Sequence, residues 1–441
     1  MQQFTDVSPA TLSRDVPLAP LEAFFWRVHE EFDGDGMGAV TGWIEGCIEE
    51  APLEAALAAL QRRHPKLRSG IVQAEDGSPY FHPYECSPRI PLEVIEFEDE
   101  LPRWQDQVYG ALRVKIAVEA GPLAHVIVQR SRPRNRSRIT IVVHHLLYDG
   151  ASLDRLVDDL FRFYEKAEAG SGLRDVESLD LISIPRAKHK YKLWLRLAQF
   201  FWLRLRRHWT TIPQADSPST TPQYAKHVFT KGQTRGLVRM CRRENTTLYG
   251  VFFAVAASIL VDLLAQKTVR LRCRFPIDVR KSLDGPHGVP THHDLGVFVS
   301  GRDRVYRVRQ EDSFWDLARL AHRDLTNFVD AGGPLLAYNL AQFLRFMKLR
   351  RGGKSIKRVS LQVSHLGMTA MRERYGSLKL TDFFALPKTD TVGPSIVVSG
   401  SILGQRLTWG VVAANLPDDF WQRFQTESVR ILERAIEGGS Q

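Results

Sequence analysis

An apolar run that leads straight into a polar turn constrains the fold of this chain more than any other segment. Residues 139–143 read Ile-Thr-Ile-Val-Val, which is typical of a buried strand, and residues 144–150 read His-His-Leu-Leu-Tyr-Asp-Gly. Apolar residues then recur at helical spacing over residues 153–164, with Ser152 as the expected N-cap. Residues 123–129 predict the other arm of a hairpin. We therefore expect strand, turn and helix in succession, with the turn held from both sides.

The turn itself collects groups that carry chemistry: two imidazoles, a carboxylate and a glycine. Imidazole is the side chain best matched to moving a proton near neutral pH. Adjacent strand residues point to opposite faces, so His144 and His145 are expected to have different surroundings. His145 is the candidate base, because Asp149 and Gly150 follow at the spacing that a positioned base needs, whereas His144 is expected to be structural. The alternative is that both histidines are satisfied polar residues at a sheet end, followed by a common Asp-Gly turn.

Several stretches together resemble a known family. Residues 144–150 match the HHxxxDG signature of the CoA-dependent acyltransferase superfamily, which includes chloramphenicol acetyltransferases, condensation domains of peptide synthetases and wax-ester synthases. Residues 62–68 (RRHPKLR), 275–280 (FPIDVR) and 363–367 (VSHLG) resemble further elements of the condensation-type members. In the last of these elements His365 stands where those members have asparagine. Taken together, the resemblance extends over nearly the whole chain.

The expected fold is of the α/β class. Helix and strand signals alternate through both halves, which predicts a layered architecture. The resemblance implies two chloramphenicol-acetyltransferase-like subdomains, each a mixed sheet with helices, and an active site in a tunnel between them. Residues 214–222 have the composition of a linker, so we place the domain boundary there. The predicted division is residues 1–175 with the HHxxxDG segment, a basic linker over residues 176–225, and a second subdomain over residues 226–441.

The resemblance also implies a mechanism. His145 would act as general base on a hydroxyl or amine that attacks a thioester carbonyl, and would then return the proton to the leaving thiolate. No covalent enzyme intermediate is required, and no bound cofactor is expected, because the co-substrate is an acyl-CoA or acyl-carrier-protein thioester. Asp149 is expected to pair with Arg280 and so to shape the turn. Gly150 would let the backbone approach the substrate closely, and Ser364 is the candidate donor to the tetrahedral oxyanion. The residues expected to support the base are His144, Asp149, Gly150 and Arg280.

Positive charge is concentrated in two segments. The formal net charge is +10, and residues 186–207 and 345–358 hold much of the excess. The first segment combines basic and apolar residues at helical spacing, which predicts a basic amphipathic helix. Such a helix can lie on an anionic membrane surface, dock an acidic carrier protein or hold a CoA phosphate. The alternative is an interdomain helix whose basic face is only solvated. Nucleic acid is not expected as a partner, because no recognised binding module accompanies the charge.

The remaining features predict a cytoplasmic protein, and peripheral membrane contact through the two basic segments is one of the alternatives for it. The four cysteines are scattered singly, and residues 1–20 lack the apolar core of a signal peptide. The longest apolar run, residues 248–260, is too short to span a bilayer and predicts a buried core helix.

A second histidine pair offers metal-ligand types. Residues 291–296 read Thr-His-His-Asp-Leu-Gly, and His287 lies nearby. The segment follows a loop rich in glycine and proline and matches no strong zinc spacing, so no metal is expected.

Four functions remain open from the sequence. The first is transfer of an acyl group from CoA or a carrier protein to the hydroxyl of a lipophilic acceptor. A free-standing condensation enzyme that acts on a carrier-bound acyl group is the second. The third is a non-catalytic binding module, against which an intact HHxxxDG segment argues. The fourth is a protein that binds a membrane surface or an acidic partner.

Overall fold

The structure is a computed structural model, which describes residues 15–32, 34–181, 209–216, 223–283, 293–340, 350–351, 354–355, 359–389 and 393–438. The predicted basic helix at residues 186–207 lies outside the described residues, as do most of residues 345–358. His287 and His292 of the second histidine pair also lie outside them. The predicted linker is covered only in part, so the division into subdomains stays a prediction.

The elements alternate between helix and strand along most of the chain. The described helices are α1 (Pro20–Glu31), α2 (Glu50–Arg63), α3 (Trp104–Ala111), α4 (Gly150–Glu168), α5 (Lys231–Arg243), α6 (Leu248–Leu263), α7 (Phe314–Asp330), α8 (Gly333–Leu340) and α9 (Asp418–Glu437). The described strands are β1 (Val16–Pro17), β2 (Met37–Glu45), β3 (Ser69–Gln73), β4 (Pro79–Pro83), β5 (Leu92–Glu96), β6 (Ala124–Ser131), β7 (Arg136–His144), β8 (Tyr224–Val228), β9 (Thr268–Asp278), β10 (Val299–Arg309), β11 (Arg350–Arg351), β12 (Lys354–Ser355), β13 (Val359–Met368), β14 (Arg374–Tyr375), β15 (Leu378–Pro387), β16 (Pro394–Leu403) and β17 (Arg406–Ala413). Short 3-10 turns cover Pro65–Arg68 and Arg280–Ser282.

Two mixed sheets organise the described residues. The first sheet has the strand order β14-β15-β2-β7-β6-β5, and the second has the order β10-β9-β13-β16-β17-β8. The predicted α/β class, with two layers of sheet and helix, is thereby confirmed. Strands β14 and β15 come from the second half of the chain but belong to the first sheet, where β15 pairs antiparallel with β2. Sheet membership therefore does not follow the order of the chain.

The hairpin that leads to the His-His turn is longer than the sequence predicts. Strands β6 and β7 pair antiparallel from Ala124–Val143 to Ser131–Arg136, and Asn135 adopts a positive φ of 49° in the connection. Strand β7 also pairs with β2, so it is central in the sheet and ends with Met37 opposite His144. Because β7 is bonded on both sides, the position at which the turn begins is fixed.

The helix that follows the turn begins differently from the prediction. Asp149, rather than Ser152, is the N-cap of α4, and its carboxylate accepts a hydrogen bond from the Ser152 backbone N–H at 2.9 Å. The expectation of Ser152 as the cap was wrong because aspartate caps a helix equally well and stands three residues earlier. Apolar residues over 153–164 face the first sheet and α2, as their spacing predicts.

The described residues form two large hydrophobic cores and one small cluster around Phe298. One surrounds the first sheet together with α2 and α4, and the other surrounds α6, which is buried over most of its length and capped by Thr247. The predicted core helix at residues 248–260 is thus confirmed. Within the described residues, no single helix has the length and apolar composition to cross a bilayer, although α5 and α6, bent by 94°, pass that test as a pair.

Candidate active site

Backbone hydrogen bonds hold the His-His turn from both sides. The backbone N–H of His145 donates to the Gly36 carbonyl at 2.8 Å, and that of Leu147 donates to the His144 carbonyl at 3.0 Å. With β7 before the turn and α4 after it, little freedom remains for the residues between them. The position of the His145 side chain is therefore set by the first sheet.

The His145 imidazole lies between two aromatic rings. On one side Phe25 of α1 stacks on it with ring centroids 3.7 Å apart and an interplanar angle of 10°. On the other side Tyr148 stacks at 4.4 Å, also at 10°. Because both faces are covered, only the edge of the imidazole is presented.

One hydrogen bond assigns the tautomer of His145. Its Nδ1 lies 3.0 Å from the Tyr148 carbonyl oxygen. Since a carbonyl oxygen can only accept, Nδ1 carries the hydrogen, and in the neutral ring Nε2 then holds a lone pair. Burial lowers the pKa of His145 to about 4, against which the hydrogen bond to Tyr148 acts only weakly. At neutral pH the ring is a neutral base with its lone pair on Nε2.

Phe25 is expected to keep the pKa of His145 low, because its ring shields the imidazole from water. In Phe25→Ala, water reaches one face of the imidazole, which relieves the desolvation that disfavours the imidazolium. We expect the pKa of His145 to rise from about 4 toward the ordinary 6.5, as measured by an NMR titration of the ring. The matched control is Phe24→Ala, because Phe24 contacts Phe25 edge-on at 5.5 Å and is not stacked on His145. Equal pKa values of His145 in the two variants would contradict the shielding role of Phe25.

His144 is placed away from solvent. Its side chain is fully buried, its Nδ1 accepts from the Leu146 backbone N–H at 3.3 Å, and it meets His29 edge-on at 5.2 Å. Burial lowers the pKa of His144 to about 3, and the charges of His29 and His145 act in the same direction. A general base must be accessible to the substrate, and the buried His144 side chain is not. His144 therefore contributes to packing, as expected from the sequence.

Asp149 and Arg280 form a buried, bidentate ion pair. Arg280 donates from its two terminal nitrogens to the two carboxylate oxygens of Asp149 at 2.8 and 2.9 Å. The Arg280 and Asp149 side chains are 1% and 5% exposed, respectively. Burial by itself would lower the pKa of Arg280, but the carboxylates of Asp149 and Asp278 outweigh it and raise the pKa. The pair joins the turn after β7 to the segment after β9, so it ties the first sheet to the second.

Further hydrogen bonds reinforce this junction. The second oxygen of Asp149 accepts from the Phe298 backbone N–H at 2.9 Å, and Arg280 donates to the Ser152 hydroxyl at 2.7 Å. That hydroxyl in turn donates to the Gly296 carbonyl at 2.9 Å. The Phe298 ring lies 4.4 Å below the guanidinium. Asp149 therefore points away from His145 and acts on the shape of the turn.

Gly150 lies close to β13 of the second sheet. A Cβ added there would lie 2.2 Å from Cδ2 of Leu366, so the missing side chain makes room for β13 of the second sheet. The expectation that Gly150 lets the backbone approach the substrate closely stays a prediction.

Ser364 lies on the same face of β13 as Leu366. The residues between and before them, His365 and Val363, face the other way, and His365 bonds the Gly400 carbonyl through Nδ1 at 2.9 Å. Among the described residues, no hydrogen bond joins Ser364 to His145 or to the Asp149–Arg280 pair. The structure thus brings together His145, Asp149, Gly150 and Arg280, and leaves Ser364 on β13 of the second sheet.

Phe25 and Tyr148 are the residues of the site that the sequence analysis did not identify. Tyr148 lies inside the motif, so its position could have drawn notice. Phe25 stands in a run of three aromatic residues, Phe24 to Trp26, and no local pattern shows which of them faces His145.

Comparison with known proteins agrees with this architecture. A family model described as "Condensation domain" matches residues 38–337. One chain of the linear gramicidin synthase of Brevibacillus parabrevis is 23% identical over 279 residues, which cover 58% of this chain and 5% of that protein. A nonribosomal peptide synthetase of Curvularia clavata is 25% identical over 301 residues, which cover 64% of this chain and 2% of that one. The chain thus spans about a twentieth or less of the length of these relatives.

Solved structures share the fold at low identity. The first condensation domain of the calcium-dependent antibiotic synthetase, in complex with a substrate analogue, has a TM-score of 0.72 at 15% identity, with 96% of this chain and 97% of that one covered. The epimerization domain of the third module of tyrocidine synthetase B has a TM-score of 0.69 at 14% identity, with 99% of each chain covered. At these identities the likeness shows the fold. Because the family model spans more than half of the chain, the chain belongs to the condensation domain family.

Proposed function

We propose that this chain transfers an acyl group from a pantetheine thioester to an amine or a hydroxyl, with His145 as general base. The observation that carries the proposal is the neutral His145 ring, held by two aromatic rings and the Tyr148 carbonyl so that Nε2 keeps its lone pair. A base poised in this form is what deprotonation of an attacking nucleophile requires.

The proton and the bonds balance without any further group. Nε2 accepts the proton of the amine or hydroxyl as that nucleophile forms a bond to the thioester carbonyl carbon. The tetrahedral intermediate then collapses, the carbon–sulfur bond breaks, and the imidazolium returns the proton to the leaving thiolate. Ser364 is the proposed donor to the oxyanion, because its face of β13 meets the start of α4 through Leu366 and Gly150.

The named relatives favour a carrier-bound donor. They are synthases of peptides, and the matching structures include condensation domains of such synthetases. We therefore place condensation with a carrier-bound acyl group, giving an amide, ahead of transfer from free CoA to a hydroxyl. The lipophilic acceptor expected from the two basic segments has no further support, because those segments lie largely outside the described residues.

The experiment offers the same acyl group on CoA and on a holo-carrier protein, each with an amine and with a hydroxyl acceptor, and identifies products by mass spectrometry. We expect amide formation from the carrier-bound donor, and none with His145→Ala under the same conditions. Formation of an ester from the CoA donor would instead favour acyl transfer from CoA to a hydroxyl. If the folded protein consumes no donor, acyl transfer is wrong and a binding role is favoured.

A further inference from the structure

Over residues 270–274, strand β9 carries arginine at every second position. Arg270, Arg272 and Arg274 alternate with Val269, Leu271 and Cys273, which are fully buried in the second core against α6. Because side chains alternate along a strand, the three arginines share the face of the sheet turned away from the helices. An arginine row of this kind is not needed to form a strand, since a solvated face accepts many residue types.

The neighbouring strand β10 extends the positive face. Arg307 lies opposite Arg270, and Asp303 lies opposite Arg274. Asp303 is shared by two arginines, since Arg274 donates to it at 2.7 and 2.9 Å and Arg272 at 3.2 Å. Among the described residues, no carboxylate pairs with Arg270 or Arg307, and both are exposed. We call Arg270, Arg272, Arg274 and Arg307 the arginine face; it has a net positive charge.

The arginine face leads to the candidate active site along one side of the sheet. Strand β13 runs parallel to β9, with Gln362 beside Arg274 and Ser364 two residues farther on, on the same face. With about 4.8 Å between strands and about 3.3 Å per residue, the Ser364 Cα lies about 8 Å from that of Arg274 and about 20 Å from that of Arg270. At its other end β9 passes Asp278 and reaches Arg280, the partner of Asp149.

This distance fits the pantetheine arm. About thirteen bonds separate the sulfur from the phosphorus of phosphopantetheine, and an extended chain advances about 1.2 Å per bond, so the arm reaches about 15 Å. A thioester at the site, near Ser364, thus places its phosphate beside Arg272, whose Cα lies about 14 Å from that of Ser364. The long side chain of Arg270, two residues farther along β9, extends to the same place. Guanidinium groups bind phosphate oxygens in paired, charge-assisted hydrogen bonds, for which lysine is less suited.

We propose that the arginine face binds the phosphate of the pantetheine thioester, with Arg270 and Arg272 as its direct contacts. Asp303 forms ion pairs with Arg274 and Arg272 and so holds both side chains in place. The ring of Trp209 packs against the Arg272 guanidinium at 5.1 Å. The inference rests on the proposed function, because it takes the thioester to lie at His145. Free CoA and a carrier-bound phosphopantetheine both supply this phosphate.

The test compares binding of 4′-phosphopantetheine and of pantetheine by titration calorimetry, which needs no turnover. We expect the wild-type protein to bind the phosphorylated compound at least about tenfold more tightly, since one charge-assisted hydrogen bond can contribute that much. Arg270→Gln/Arg272→Gln is expected to lose this preference and to bind pantetheine as the wild type does. A second variant, Arg270→Gln/Arg307→Gln, changes only residues without a carboxylate partner and guards against misfolding of the first. Arg235→Gln, an exposed arginine of α5, is the matched control and is expected to keep the preference.

The proposal is overturned if the wild type binds the two compounds equally well or binds neither measurably. It is also overturned if both double variants still prefer 4′-phosphopantetheine to pantetheine. The KM for acyl-CoA, for acyl-3′-dephospho-CoA and for the acyl-holo-carrier protein then separates the sources. A rise of about tenfold for all three in the double variants, with kcat little changed, assigns the pantetheine phosphate itself. A rise confined to acyl-CoA points to its 3′-phosphate and contradicts the assignment. If the wild type prefers the phosphorylated compound but shows no turnover, phosphate binding by the arginine face stands and the proposed acyl transfer is refuted. If it shows turnover without this preference, acyl transfer stands and phosphate binding by the arginine face is refuted.

Discussion

Replacing Asp149 by alanine is expected to lower the free energy of unfolding by about 3–5 kcal/mol, the usual cost of stranding one member of a buried ion pair. Arg280, 1% exposed, would lose both of its hydrogen bonds to the carboxylate. The same substitution removes the N-cap of α4 and the acceptor of the Phe298 backbone N–H. Urea unfolding followed by circular dichroism measures the change, and poor solubility of the variant is expected as well.

Asp278 supplies the matched control for this variant. It contacts the same guanidinium at 3.2 Å but is 45% exposed, so Asp278→Ala is expected to cost less than about 1 kcal/mol. The double variant Asp149→Ala/Arg280→Met removes the stranded charge and is expected to recover part of the lost stability. If Asp149→Ala unfolds at the same urea concentration as the wild type, the ion pair does not hold the two sheets together.

Replacing His145 by alanine is expected to lower turnover by about 10² to 10⁴, the range for loss of a general base, while the fold stays intact. Among the described residues, the side chain makes one hydrogen bond, to the Tyr148 carbonyl, and two aromatic rings stack on its faces. Alanine leaves a flat slot between Phe25 and Tyr148. Added imidazole is expected to enter this slot and to restore part of the rate, which steady-state kinetics with increasing imidazole would show.

His365 is the matched control for that variant. It also bonds a backbone carbonyl through Nδ1, that of Gly400 at 2.9 Å, and also lies against two aromatic rings, Tyr249 and Phe252. His365→Ala is therefore expected to lose stability but to keep turnover within about tenfold, with no response to imidazole. A His145→Ala protein that retains turnover within that same range would remove His145 from the role of base.

The strand, turn and helix around His145 could be predicted because their signals are local. The apolar run of β7 and the spacing of Leu153, Leu156 and Leu160 on α4 are visible in one short window. The pairing of Asp149 with Arg280 was expected only through the family resemblance, since the two residues are 131 positions apart. No periodicity reaches across such a distance.

Most of the features that the sequence analysis missed depend on packing between distant segments. Strand β15 alternates apolar and polar residues over 378–381 and continues with an apolar run over 383–386, yet nothing in that pattern assigns it to the first sheet beside β2. The contact of Leu366 with Gly150 and the stacking of Phe25 on His145 likewise join segments far apart in the chain. The misplaced cap of α4 is different, because Asp149 and Ser152 are both good N-caps and only the backbone of the turn chooses between them.

The most direct measurement of the central claim is single-turnover thiol release from an acyl-pantetheine thioester, with and without an acceptor amine, in the wild type and in His145→Ala. If His145 is the base for acyl transfer, the wild type releases thiol quickly only when the acceptor is present, and the variant shows no such acceleration. Acceptor-dependent release at the same rate in both proteins would contradict the account.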